Sequence, residues 1–285
     1  MNYALDALWW RLKTPQVRDL AALLTAPPLW DSGCEMPVRK LLGETGFRVL
    51  LDWDDRPSEL LDFLNGRAPF GGRLGFYAEA LLAFWLANAP HCRLHAQNLV
   101  ISGADGNHAG ALDFLAEIDG ELYHLELCCK YYGPAAGEPD LCGLNRSDRL
   151  PDKAAKLQKQ LGLVQTEQGR AALQRIGIDA AELQTAAVVR GMAFLPETPS
   201  ENRFGSADDA WTGSTVGDWE EFAAQQTENS RYFILPRMNY LSPARVPESE
   251  TVGLPHIAEQ HNILFALLEP RPDGFSHEIR RFMKR

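Results

Sequence analysis

Helical and strand-like patterns alternate along the chain and predict an α/β (α+β) fold: a mixed central sheet flanked by helices, with an N-terminal helical extension. Three stretches carry that prediction. RLGFYAEALLAFWLANAP, residues 73–90, is an apolar run at helical spacing. GALDFLAEIDGELYHLELCCKYY, residues 110–132, places two runs of branched and aromatic residues around Asp119-Gly120. AAVVRGMAFLP, residues 186–196, reads as a buried strand that joins a sheet in parallel through a helical crossover.

Composition bounds the possibilities. A chain of 285 residues, 45% of them hydrophobic, can bury a sizeable core as one large domain or as a domain with an extension. The net charge of −10 leaves no overall positive field to draw the chain to nucleic acid or anionic lipid, so any phosphate-binding surface has to be local. No apolar run is long enough to span a bilayer. The start, MNYALDALWWRLKTPQ, lacks a basic opening and a clean apolar stretch, so no signal peptide is expected. Five cysteines without paired CxxC spacing point to free thiols in a reducing cytoplasm rather than to zinc.

Residues 1–66 read as the helical extension. Thr14-Pro15 opens a helix that Pro27-Pro28 stops, Pro37–Leu42 forms a shorter packed piece, and Ser58 caps a segment ending at Asn65-Gly66. Trp9, Trp10, Trp30 and Trp53 are expected in the core. On the helix of 73–90, Phe76, Ala80, Leu81, Phe84, Trp85 and Ala87 make the apolar surface, and Glu79 interrupts it. A carboxylate there is costly without a partner. Either Glu79 lies at the helix edge against Arg73 or water, or it is an acid aimed at the sheet.

RLHAQNLVIS, 93–102, is a strand, and 103–109 is a loop into the hairpin. A two-residue Asp-Gly connection is the strongest short-range hairpin signal, of type I′. That register puts Ile118 opposite Glu121 and Asp113 directly opposite Glu126, with Leu115–His124 and Ala111–Cys128 on the same face. Phe114, Ala116, Leu112, Tyr123, Leu125 and Leu127 take the other, core face. Opposed carboxylates repel by roughly 0.2–1 kcal/mol unless they are solvated, share a proton or hold a cation. Lys130 follows on the same face, so one strand presents His124, Glu126, Cys128 and Lys130 together. Two acids and a lysine around one point suit metal-assisted hydrolysis. A polar, solvent-facing strand with one salt bridge is the competing reading.

Downstream, 132–147 is a Gly/Pro-rich loop and Asp148 opens a helix through about Leu161. Arg146, Arg149, Lys153 and Lys156 fall in one basic stripe able to hold nucleic-acid phosphates, with a solvated helix face as the alternative. Asn145 and the Asp148–Lys153 region are placed at the mouth of the site. Residues 166–176 and 179–184 read as short helices, 197–217 as a polar surface excursion, 219–226 as a brief helix, and 230–245 as one more strand and a loop. Pro255–Leu268 has helical spacing, and the basic tail GFSHEIRRFMKR carries no assigned role. Phosphate-loop, dinucleotide, zinc-protease and serine-hydrolase motifs are absent.

A helix bearing Glu79, then three antiparallel strands with Asp113 on the second and Glu126 and a lysine on the third, resembles the PD-(D/E)XK nuclease superfamily. TPQVRDLAALLTAPPLW, LGFYAEALLAFWL, HLELCCKYY, LCGLNRSDRLPDKAAKLQKQL and AAVVRGMAFLP look like a bacterial domain-of-unknown-function branch of it. The resemblance implies a restriction-endonuclease-like domain over 67–285, with its core at about 70–196 and a C-terminal elaboration over 197–285. It implies Mg²⁺ (or Mn²⁺) held by Glu79, Asp113 and Glu126, and catalysis of phosphodiester hydrolysis in DNA or RNA by Asp113, Glu126 and Lys130. His124 and Cys128 are accessory. Two positions depart from the pattern. Cys128 stands where the E-x-K lysine belongs, with Lys130 one strand repeat on, and Leu112 precedes Asp113 where proline is usual. A nuclease fold that has lost catalysis and binds nucleic acid or a protein is the alternative. A carboxylate-pair glycosidase ranks last, because directly opposed acids stand closer than the roughly 5–9.5 Å which that chemistry uses.

Overall fold

The computed structural model describes residues 11–103, 108–196 and 205–285. Trp9 and Trp10 lie outside them, as does part of the loop before the hairpin.

The Asp119-Gly120 turn forms as its chemistry requires. Both residues have positive φ, 51° and 79°, which a type I′ turn needs at its two central positions. It joins β2 (His108–Ile118) to β3 (Glu121–Tyr132), antiparallel and in the expected register from Ile118–Glu121 to Phe114–Leu125. β1 (Cys92–Ser102) pairs with β2 on its other side, with a register shift between Leu94 and Ala96. β3 then pairs in parallel with β4 (Gln184–Leu195). The crossover between them holds α6 (Leu150–Leu161) and α7 (Glu167–Arg175). Where β4 passes Lys130, Gly191 has φ 138°, and a Cβ there would stand 1.6 Å from the Lys130 carbonyl oxygen. Only glycine fits that approach.

Among the described residues five helices precede the sheet: α1 (Pro15–Thr25), α2 (Val38–Leu42), α3 (Gly46–Asp55), α4 (Ser58–Asn65) and α5 (Leu74–Asn88). Leu20, Leu24, Leu50, Leu60, Leu81 and Trp85 share one buried cluster with Phe114, Leu125, Val188 and Phe194 of the sheet, so the N-terminal helices and the sheet have a common core. Thr14 occupies the N-cap of α1 without a side-chain capping bond. The Asp54 carboxylate instead accepts from the Lys13 and Thr14 amides at 2.9 and 2.7 Å. α3 was not anticipated; Thr45 stands at its N-cap, likewise without a side-chain capping bond. Phe76 and Ala87 of α5, expected on its apolar surface, are exposed. The buried side is built by Tyr77, Ala78 and the run from Ala80 to Leu86.

The sheet extends beyond the strands that the sequence predicts. Nine strands form it, in the order β1-β2-β3-β4-β5-β9-β8-β6, with β7 (Arg245–Pro247) also on β9. β5 (Thr212–Val216) comes from the stretch read as a surface excursion, and β6 (Arg231–Ile234) from the expected late strand. Pro255–Leu268 is not one helix. A short α9 (Leu254–Ala258) gives way to β8 (Ile263–Pro270), because a brief apolar run such as ILFALL satisfies either period. The basic tail is β9 (Phe275–Lys284), paired with β5, β7 and β8. Residues 179–184 form a turn leading into β4, a segment too short to sustain a helix. The brief helix α8 (Trp219–Ala224) stands as predicted. Among the described residues no helix is long and apolar enough to cross a membrane.

Candidate functional site

The hairpin ladder gives way to side-chain bonds where Asp113 and Glu126 meet. Beyond Phe114–Leu125, the Asp113 amide donates to Glu126 Oε1 at 3.3 Å and the Leu127 amide donates to Asp113 Oδ2 at 3.0 Å. Each acid thus accepts from the other's strand. Alternation breaks at the same place. Leu112, expected on the core face with Phe114, packs with Leu115, Val164 and Leu173 on the opposite side. Leu115, expected beside the site, is covered by that same cluster.

Glu126 is 1% exposed and His124 is fully buried, with Nε2 donating to Glu126 Oε1 at 2.8 Å. His124 Nδ1 has no partner within the protein. His124 therefore steadies Glu126 from behind and does not reach the surface. Burial, followed by the charge of Glu126, raises Asp113 from an ordinary 3.8 to about 7. Glu79 on α5 is also raised, chiefly by burial, with a hydrogen bond to Asn98 opposing and Glu126 reinforcing the rise. It does not pair with Arg73. Asn98 sits at positive φ (53°) on β1, a distortion the sequence does not announce.

Glu79 and the neighbours of Glu126 on β3 open on a cavity of about 580 Å³, whose lining includes Glu79, Leu127, Cys128, Lys130, Asn145, Asp148 and Lys153. The Asn145–Lys153 segment does stand at this site. Lys130 does not reach back to the acids: Nζ bonds Asp148 Oδ2 at 2.5 Å, and Tyr132 Oη holds the other oxygen, Asp148 Oδ1, at 2.9 Å. The cation whose field reaches Asp113, Glu79 and Cys128 together is Lys153 of α6, which opposes the rise of both acids. The sequence marked Lys153 for phosphates. That it serves the acids follows from how α6 crosses β2 and β3, which no local pattern encodes. Burial pushes the Cys128 thiol up to about 12, which removes it as a nucleophile near neutral pH.

A family model described as a domain of unknown function (DUF1853) matches residues 18–283. The chain belongs to that family. No curated protein and no solved structure matches it.

In this DUF1853 chain the four cations of the expected stripe do not form one track. α6 starts at Leu150 rather than Asp148, so Arg146 lies in the preceding loop and Arg149 at the N-cap. Arg149 is bound to Asp140 at 2.6 Å, and Lys156 is exposed on the helix. Of the four, Lys153 lines the cavity. Two further cations line it as well: Arg73, just before α5, which the sequence offered only as a partner for Glu79, and Arg237, the first residue of the 3₁₀ turn Arg237–Asn239.

The oxygen-only donor set Glu79, Asp113 and Glu126, two of its members raised chiefly by burial and further by Glu126, fits a hard divalent cation in kind. As they lie, no three His, Cys, Asp or Glu side chains among the described residues form a ready metal-binding group.

Proposed function

We propose that this protein is a divalent-metal-dependent phosphodiester hydrolase acting on DNA or RNA, with Asp113 and Glu126 at its centre. The observation that carries the reading is the junction of those two acids. They face each other where the hairpin ladder opens, within the field of Glu79 and Lys153, both of which line the adjacent cavity, and among the described residues no arginine is bound to either carboxylate. The order α5, β1, β2, β3 is the helix, strand, strand, strand arrangement on which the PD-(D/E)XK resemblance rests, and it supports the same reading.

Glu79, Asp113 and Glu126 would hold Mg²⁺ or Mn²⁺, which when bound neutralises phosphate charge and acidifies water. Glu126 is kept in place by His124, and Asp113 by the Leu127 amide. Lys153 stands where it can steady charge developing on a phosphate oxygen. Lys130 holds Asp148 and so fixes the mouth of the cavity. Five free thiols suit a reducing cytoplasm.

The test is calorimetric titration of Mg²⁺ and then Mn²⁺ into wild type and Asp113→Asn, followed by incubation with single- and double-stranded DNA and RNA. A binding isotherm that vanishes in the variant, together with metal-dependent cleavage in the wild type, is expected. Cleavage that persists in Asp113→Asn would remove the proposal.

The capture of Lys130 by Asp148 favours a second reading, a nuclease fold retained for binding. It predicts nucleic-acid or protein binding without turnover, and full function in Glu126→Gln.

A further inference from the structure

The lining of the cavity carries information beyond Glu79. Part of it comes from the C-terminal part of the chain: Arg237, Tyr240, Asn262 and Leu264. The start of α5 contributes Arg73, and α6 contributes Lys153. The cavity, of about 580 Å³, is open to solvent.

Its surface is mixed in a particular way. Arg73, Lys130, Lys153 and Arg237 line it against two acids, Glu79 and Asp148, in a chain whose net charge is −10. Tyr131 and Tyr240 line it too, edge to face at 5.1 Å, with Tyr131 Oη donating to the Tyr240 carbonyl at 2.7 Å. The Tyr240 carbonyl also accepts from buried Arg281, which fixes the aromatic wall from behind. Cations that follow a backbone, interleaved with a fixed aromatic face, are the means by which proteins hold unpaired nucleotides. Paired bases offer no free face for a tyrosine.

We infer that the substrate of this cavity is a single nucleic-acid strand, its phosphates on Arg73, Lys153 and Arg237 and a base against Tyr240. This rests on the nucleic-acid reading of the site and narrows it to unpaired substrate.

The experiment is fluorescence anisotropy with a labelled single-stranded oligonucleotide and a hairpin duplex of the same length, in EDTA so that nothing turns over. The strand is expected to bind at least about tenfold tighter than the duplex. Tyr240→Ala should weaken strand binding by about 5- to 100-fold, the usual loss for one stacked base. Arg237→Ala, at an exposed position, should weaken it and flatten its dependence on log salt by about 0.7. Circular dichroism on both variants separates loss of contact from loss of fold. Duplex binding as tight as strand binding, no binding of either, or strand binding untouched in both folded variants would overturn the inference. Strand preference without cleavage in Mg²⁺ or Mn²⁺ sinks the hydrolase proposal alone, whereas cleavage with a duplex preference sinks this one alone.

Discussion

On β9 the Arg281 guanidinium donates to both carboxylate oxygens of Glu278 at 2.8 and 2.7 Å, and to the carbonyls of Tyr240 and Ser242. Glu278 accepts in addition from the Ala244 amide at 2.7 Å. Both residues are nearly inaccessible, at 3% and 6% exposure. Asp19 close by is satisfied by the Ser242 amide, the Ser242 hydroxyl and Tyr77 Oη. On the hairpin, Glu126 is buried as deeply, but its neighbours are Asp113, Glu79 and a histidine. One region buries charge of both signs and closes its hydrogen bonds, and burial still raises Asp19 there to about 6. The other gathers three acids against one lysine, Lys153, and burial followed by the charge of Glu126 raises Asp113 to about 7. Complementary buried charge holds a segment in place. Acids in excess of their cations are costly to the fold and mark where a cation or a proton is wanted.

The comparison breaks first on Arg281. Replacing it by alanine leaves Glu278 buried without its cation, which typically costs 3–5 kcal/mol. Urea unfolding of Arg281→Ala should show a loss of that size, and the Tyr240 wall of the cavity should loosen with it. A loss below about 1 kcal/mol would mean that the β9 network is ornament and that the contrast with the hairpin is empty.

The two regions were also unequally legible. The hairpin was readable because Asp119-Gly120 fixes a register, and the register alone brings Asp113 to Glu126. The helix carrying Glu79 and the parallel strand 184–195 were readable from long runs of one period. β8 was not, since ILFALL fits a helix as well as a buried strand. β9 was hidden by its own charges. Glu278, Arg281 and Lys284 look like a solvated tail until residues 240–244 and 257–258 supply their partners from far away in sequence. The same limit applies at the site. That Lys130 is claimed by Asp148, and that Lys153 takes the acids, depends on where α6 lands.

The lysines sharpen the contrast next. If the acids are catalytic, Lys153→Met should lower metal-dependent cleavage by about 10²-fold, the usual loss of one electrostatic stabiliser. Lys130→Met should lower it less than about threefold, because its ion pair with Asp148 is half exposed and remote from the reacting atoms. Single-turnover rates for both variants decide it. The reverse order would return the catalytic lysine to the strand position that the sequence pattern favours.

The smallest effect is the most direct reading of that excess of acid. Asp113 titrates near 7 in the folded chain and near 3.8 when unfolded, so between those values the native state holds the extra proton. Its stabilising contribution is complete below about pH 4 and is lost as pH rises through 7, above which the wild type carries the carboxylate at a cost. Asparagine never ionises. Asp113→Asn should therefore match the wild type near pH 4 and exceed it at pH 8 by about 1–3 kcal/mol, measured by urea unfolding in EDTA. Millimolar Mg²⁺ at pH 8 should close that gap by stabilising only the wild type. A variant less stable than the wild type at pH 8 would show that the Leu127 amide and Lys153 already satisfy the carboxylate. The acids would then belong with Glu278 as structure rather than with a metal.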